Sequence, residues 1–201
     1  MKVVLINGSP HRKGNTFIAL SEVAGALEKE GVQTEIIQLG IKAVQGCIAC
    51  NKCAELGHCV FQDSLYNLNA SLYKIKVTSV TRTVYYAGPN GALCALLDRV
   101  FYSCSELLAY KAGASVAVCR RGGASATFDR LNKYFTILNM PVVSSQYWNS
   151  VHGMRPGEAT EDAEGLQTMR MLGRNMAWLL KGVKREERPE PELRVMTNFI
   201  R

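Results

Sequence analysis

The stretch GCIACNKCAELGHC, residues 46–59, holds Cys47, Cys50, Cys53 and Cys59, four of the chain's seven cysteines. Their spacing, C-x2-C-x2-C-x5-C, returns a thiol every third residue and then once more after a short gap. Three thiolates so spaced can wrap a cubane iron–sulfur cluster within one loop, with the fourth completing the set. Structural zinc more often takes two cysteine pairs from separate turns and is the weaker metal reading. Thiols that stay free, or pair on exposure to air, are the third. Cys94, Cys104 and Cys119 stand in apolar or helical contexts and read as packing residues.

A second group of residues suits phosphate. In NGSPHRKGNT, residues 7–16, Gly8 and Gly14 permit tight turns, Ser9, Asn15 and Thr16 supply polar side chains, and Arg12 adds a charged donor. A helix starting there would offer unpaired N–H groups and the positive end of its dipole. The loop lacks the Gly-Lys-Ser/Thr ending of a nucleoside triphosphate site and the Gly-x-Gly-x-x-Gly of a dinucleotide site, so it suits a terminal monophosphate. The weaker reading of the loop alone is a polar connection with an Asn or Thr helix cap. Two further loops favour the phosphate: VYYAGPNGA, residues 84–92, and CRRGGASAT, residues 119–127, close the third and fourth strand candidates. A flat aromatic ligand with a phosphate tail would touch all three. His11, His58 and His152 are isolated loop histidines and read as solvated.

The elements that must carry these loops alternate. KVVLIN is a strand candidate, followed by a helix with Phe17, Leu20, Ala24 and Leu27 on one face, and then by the strand candidate VQTEIIQL. NGALCALLDRVFYSCSELLA reads as one helix, ASVAVC as a strand covered on both faces, ATFDRLNKYFTILN as a helix and MPVVSSQYW as a strand. The last helix, EDAEGLQTMRMLGRNMAWLLKGV, aligns Leu166, Met169, Leu172, Met176 and Leu179. Such alternation predicts an α/β fold, a parallel sheet with helices on both faces. At 201 residues a single domain is expected over 1–183, with 184–201 as a charged C-terminal arm.

Composition narrows the function classes. The chain is 47% hydrophobic and 20% charged, without an apolar run long enough to span a bilayer. MKVVLINGSP lacks a signal-peptide apolar region, so the expected compartment is the cytoplasm, where thiols are kept reduced. The net charge of +7 is scattered, with no aromatic-interleaved basic stripe, which argues against nucleic acid and suits an anionic small molecule.

Taken together, NGSPHRKGNT, the cysteine window, VYYAGPNGALCALLDR, the RRGG turn and MPVVSSQYWN resemble the NADPH-dependent FMN reductase family of flavodoxin-like proteins, and within it the iron–sulfur flavoprotein branch. The resemblance implies a doubly wound five-stranded parallel sheet in flavodoxin order, 2-1-3-4-5. It implies FMN as cofactor and NAD(P)H as co-substrate, with a flavin, quinone or similar acceptor. Ser9, Arg12, Asn15 and Thr16 would hold the FMN phosphate; Tyr85, Tyr86, Ala87 and Asn90 would line the ribityl chain and ring; Arg121, Gly122 and Gly123 would approach the ring's polar edge. The flavin does the chemistry, so no catalytic proton donor is assigned. Cys47, Cys50, Cys53 and Cys59 would hold a 4Fe-4S cluster exchanging electrons with a ferredoxin-like carrier. A homodimer or homotetramer is implied, with the SQYWNSVHGM stretch as a contributor to the interface or cleft, although core packing is the simpler reading of Trp148. A non-catalytic FMN-binding protein is the alternative class.

The stretch after the cysteines departs from the family pattern. QDSLYNLNASLYKIKVTSVTRTVYY, residues 62–86, supplies one Asp, and Lys74, Lys76 and Arg82 fall where a central strand should be apolar on both faces. Either residues 64–82 are less regular than in relatives or a short frame shift has altered them. Peptide mass mapping across residues 62–99 separates the two, and confirmation of every residue removes the frame shift.

Overall fold

The computed structural model describes residues 1–61, 63, 77–183, 189, 190, 192 and 197. Strand β1 (Lys2–Asn7) is buried along its whole length beyond Lys2. It pairs in parallel with β2 (Gln33–Gln38) on one side and β3 (Val77–Tyr85) on the other. β5 (Ala112–Cys119), with all eight residues buried, pairs in parallel with β3 and with the short β6 (Ser150–His152). The order along the sheet is β2-β1-β3-β5-β6, and a two-residue β4 (Gly88–Pro89) folds back antiparallel onto the end of β3.

Helices cover both faces: α1 (Asn15–Lys29), α2 (Cys53–Leu56), α3 (Gly91–Ser103), α4 (Ser105–Leu108), α5 (Ala124–Thr136) and α6 (Ala163–Gly182). The alternation of β1 divides the core. Val3 and Leu5 face Leu20, Val23 and Leu27 of α1 and Met169, Leu172 and Met176 of α6. Val4 and Ile6 face Leu93, Leu97 and Val100 of α3 and Leu131 and Phe135 of α5. Period-two alternation with both sets apolar requires a strand covered on both sides.

The structure departs from the sequence reading in four places. From Val77 the polar third segment forms a regular central strand, because β1 and β5 satisfy its backbone from both sides; residues 64–76 of the stretch expected to be irregular lie outside the described residues. The helix expected to run from Asn90 breaks at Cys104 (φ −123°, ψ 24°), leaving α4 as a single turn. MPVVSSQYW is not a strand: Val142 makes only an isolated bridge to Gly113, and pairing resumes at β6. Asn149 explains the excursion, since its Nδ2 donates to Ser115 O (3.0 Å) and its O accepts from Ala117 N (2.9 Å), re-seating the chain after 144–148 has left the sheet. Trp148 is therefore not core; it is 58% exposed and packs on Tyr147 at 5.1 Å between ring centroids. The arm expected over 184–201 lies, apart from 189, 190, 192 and 197, outside the described residues.

α6 begins under the cap of Asp162, whose Oδ1 accepts from Gly165 N at 2.9 Å, and packs along α1. Gly173 permits that approach: a Cβ there would lie 2.8 Å from Val23 O and 2.7 Å from Ala26 Cβ. The carbonyl belongs to helix backbone and cannot swing aside. Gly173→Ala is expected to destabilise the fold by about 1–3 kcal/mol, read as a lower urea midpoint with an unchanged slope.

Candidate functional site

The turn after β1 is shaped from beneath. Asn7, fully buried, accepts from Ser9 N through Oδ1 (3.0 Å) and donates through Nδ2 to Gln38 Oε1 (2.7 Å). Gln38 Nε2 donates in turn to Ser9 O, and Ser9 Oγ accepts from His11 N at 3.1 Å. The chain then enters α1 at Gly14 without a side-chain cap, so the positive end of the helix dipole opens toward the loop.

That opening forms one wall of a cleft of about 540 Å³ at the carboxyl ends of β1, β3 and β5. Ser9, Arg12, Asn15 and Thr16 line it together with Lys13, Val84, Cys119, Arg120 and Met154. Three cations face this space, and among the described residues no carboxylate lines it. Asn15 serves the wall itself: its Oδ1 accepts from Gly157 N (3.0 Å) and Ala159 N (3.2 Å), and its Nδ2 donates to Arg155 O (2.9 Å). Glu158 closes the same turn by accepting from Met154 N and Arg155 N, bonds that hold its carboxyl below the ordinary value.

The other expected site residues are divided by the β3–β4 hairpin. Tyr85 and Asn90 line a second cleft of about 390 Å³, which also touches Gly8 and residues 40–43. Tyr86 and Ala87 occupy the hairpin tip in left-handed conformations (φ 48° and 56°), and Tyr86 projects fully into solvent. Asn90 is a brace between loops: Nδ2 donates to Gly8 O (2.9 Å) and Oδ1 accepts from Leu93 N (3.1 Å), capping α3. Gly123, at φ +88°, lets the fourth loop close on the third, since a Cβ there would lie 2.5 Å from Ala87 Cα. Arg121 and Gly122 are exposed and do not line the first cleft; Arg120 does.

The cysteine window wraps a separate pocket. Cys47, Cys50, Cys53 and Cys59 all line it, with Ile48, Val60 and Phe61 as apolar wall and Arg99 and Tyr102 of α3 beneath. Left-handed Ala49 (φ 52°) and Asn51 (φ 57°) turn the chain about Cys50, and Ala49 N reaches Cys47 Sγ at 3.5 Å. Among the described residues no three His, Cys, Asp or Glu side chains converge closely enough to hold a metal ion. The donor set nevertheless fits an iron–sulfur cluster in kind, four thiols around one apolar pocket with a backbone N–H aimed at sulfur. Burial opposes the charge of Arg99, but hydrogen bonds to Asp63 and Cys59 outweigh it and hold the guanidinium above its ordinary pKa.

Residues 1–154 match the family model described as NADPH-dependent FMN reductase. The chain belongs to that family. An iron–sulfur flavoprotein of Methanocaldococcus jannaschii is 33% identical over 193 residues, 92% of this chain and 100% of that protein. One of Archaeoglobus fulgidus is 26% identical over 200 residues, 89% and 97% of the two chains. These relatives place the protein in the iron–sulfur flavoprotein branch of the family. Among solved structures, RosB holding 8-demethyl-8-formylriboflavin-5'-phosphate superimposes with a TM-score of 0.70 at 14% identity, over 99% of this chain and 92% of that one. A flavodoxin from the domain Archaea superimposes at 0.62 and 14%, over 90% and 99%. The fold is flavodoxin-like.

The structure gathers Ser9, Arg12, Asn15 and Thr16 on one cleft, whereas the aromatic loop is split by its hairpin. Sequence reasoning missed Lys13, Arg120 and Met154 on the cleft, and Arg99 and Tyr102 under the cysteines. Lys13 and Arg120 had a signal, each standing beside an arginine that the motif singled out. Burial raises the thiol pKa of Cys104 and of Cys119, although Arg121 N–H bonding to Cys119 opposes its rise. Iodoacetamide at neutral pH is expected to label exposed Cys47 and Cys50 first, with Cys104 and Cys119 resisting until the protein unfolds, as peptide mass spectrometry would show. Early labelling of Cys104 would contradict the packing around α3.

Proposed function

We propose that this member of the family is an FMN-dependent oxidoreductase that takes reducing equivalents from NAD(P)H and passes them to an acceptor such as a flavin or quinone. The observation that carries the reading is the cleft at the carboxyl ends of β1, β3 and β5, where Arg12, Lys13 and Arg120 meet the start of α1 with no described carboxylate on the wall. Bound FMN would supply hydride and single-electron chemistry. The chain's own residues bind and orient. Arg12 and Lys13 neutralise a terminal phosphate, Ser9 stands at the turn beneath it, and Arg120 brings positive charge to the far wall. Asn90 and Gly123 fix the loops about the β3–β4 hairpin, where the aromatic part of the ligand would rest. The exposed Tyr147–Trp148 pair suits a second copy of the chain, so a homodimer or homotetramer belongs to this proposal, as does a cytoplasmic location.

A second reading is favoured by the four thiols gathered on one apolar pocket: Cys47, Cys50, Cys53 and Cys59 hold a 4Fe-4S cluster, and the partner is a ferredoxin-like carrier. The relatives named iron–sulfur flavoproteins support it. It differs from the first in needing one-electron steps and a protein partner.

Two measurements test these readings. Arg12→Ala and Lys13→Ala should each weaken FMN binding about 10-fold, more at low salt than at high, by flavin fluorescence quenching; unchanged affinity in both would move the phosphate elsewhere. Anaerobically purified protein should contain one flavin per chain, bleached on NADPH addition, and about four iron and four sulfide if the cluster reading holds. Flavin that NADPH leaves oxidised would instead describe a passive flavin-binding protein.

A further inference from the structure

Arg99 is the largest side chain that the described residues bury completely, and the flavin cleft makes no use of it. All five of its N–H groups donate. Nε reaches Cys59 Sγ (3.2 Å); Nη1 reaches Gln45 O (3.1 Å) and Asp63 Oδ2 (2.6 Å); Nη2 reaches Phe61 O (3.0 Å) and Asp63 Oδ1 (3.0 Å). The guanidinium also lies over the Phe61 ring, 5.0 Å from its centroid. None of these partners belongs to α3. Gln45 precedes the cysteine window, Phe61 and Asp63 come after it, and Cys59 is one of its four thiols. One turn further along the same helix, Tyr102 donates to Asn51 Oδ1 at 2.9 Å, in the middle of the window.

A packed apolar side chain would serve the stability of α3 at least as well as a buried cation, whose desolvation must be offset by complete pairing. The complete pairing is made with both ends of a loop whose Ile48 and Leu56 stay exposed and do not anchor it to the core. We propose that Arg99 is the positioning residue of the cysteine site: it clamps the loop from Gln45 to Asp63 into one conformation and sets Cys59 at the pocket with a donor on its sulfur. The redox consequence rests on the cluster reading above. A fixed N–H donor to a ligand sulfur stabilises the added negative charge on reduction and raises the potential of the centre.

The test uses the full-length flavoprotein with Arg99→Gln, Arg99→Lys and Asp63→Asn, handled anaerobically. Flavin content per chain reports folding. In metal-free protein, iodoacetamide is expected to modify Cys59 several-fold faster in Arg99→Gln than in wild type, with Cys47 and Cys50 unchanged. After reconstitution with iron and sulfide, Arg99→Gln should hold iron about 10-fold more weakly and any remaining cluster should titrate at a more negative potential. Arg99→Lys keeps the charge but not the planar fork, so it should restore little of either. Wild-type Cys59 labelling together with wild-type iron retention in Arg99→Gln would overturn the proposal. If Arg99→Gln loses its flavin, Asp63→Asn decides: the partly exposed Asp63 can change without emptying the core, and unchanged Cys59 labelling there would equally overturn it. Failure of the wild type to take up iron would remove the cluster reading alone, because labelling of Cys59 in the metal-free variants still reads the clamp.

Discussion

A parallel sheet covered on both faces can expose polar groups only at its strand ends. β1 sets this constraint, because Val3 and Leu5 are committed to one helical layer and Val4 and Ile6 to the other, leaving its chemistry to Asn7 and the loop from Gly8 to Gly14. Asn7 is itself buried, so its amide shapes the turn, while Ser9, Arg12 and the start of α1 line the cleft. β3 and β5 deliver their loops to the same edge, which is why Val84, Cys119 and Arg120 meet residues more than a hundred positions away in some cases.

α3 couples the two candidate centres mechanically. Its cap, Asn90, holds the carbonyl of Gly8 in the first loop, and Arg99, on the order of 13 Å further along the axis, holds the cysteine loop. Apolar packing through Leu93, Leu97 and Val100 fixes the helix against β1 between these points. The first cleft and the thiol pocket are therefore both tied to one helix.

What could be read from the chain depended on how local each signal is. The loop from Gly8 to Gly14, α1, β5, α5 and the cysteine spacing each lie within some twenty residues, and their periodicity or turn chemistry suffices. Arg99 could not be read this way. Within the helix an arginine looks like a solvent-facing residue, and its burial depends on acceptors 36 to 54 positions distant. The same limit hid the choice of Arg120 over Arg121, which turns on how the four-residue loop 120–123 leaves β5. Asn15 lines the cleft, but its partners at 155–159 are set by the return of the chain from β6. MPVVSSQYW carries every local mark of a strand, and fails because Asn149, beyond its end, captures the edge of β5 first.

The amino-acid sequence alone determined the class of fold, the turn after β1, the four-thiol window and the family, because each is a pattern of neighbouring residues whose meaning survives without coordinates. Only the tertiary structure decided that Tyr86 points to solvent, that Asn90 is a brace, that the third segment is a true central strand and that Arg99 is buried and hydrogen-bonded to the cysteine loop. Each of those depends on pairing between distant segments, and the free energy of such a pairing belongs to the assembled neighbourhood rather than to any stretch of chain within it.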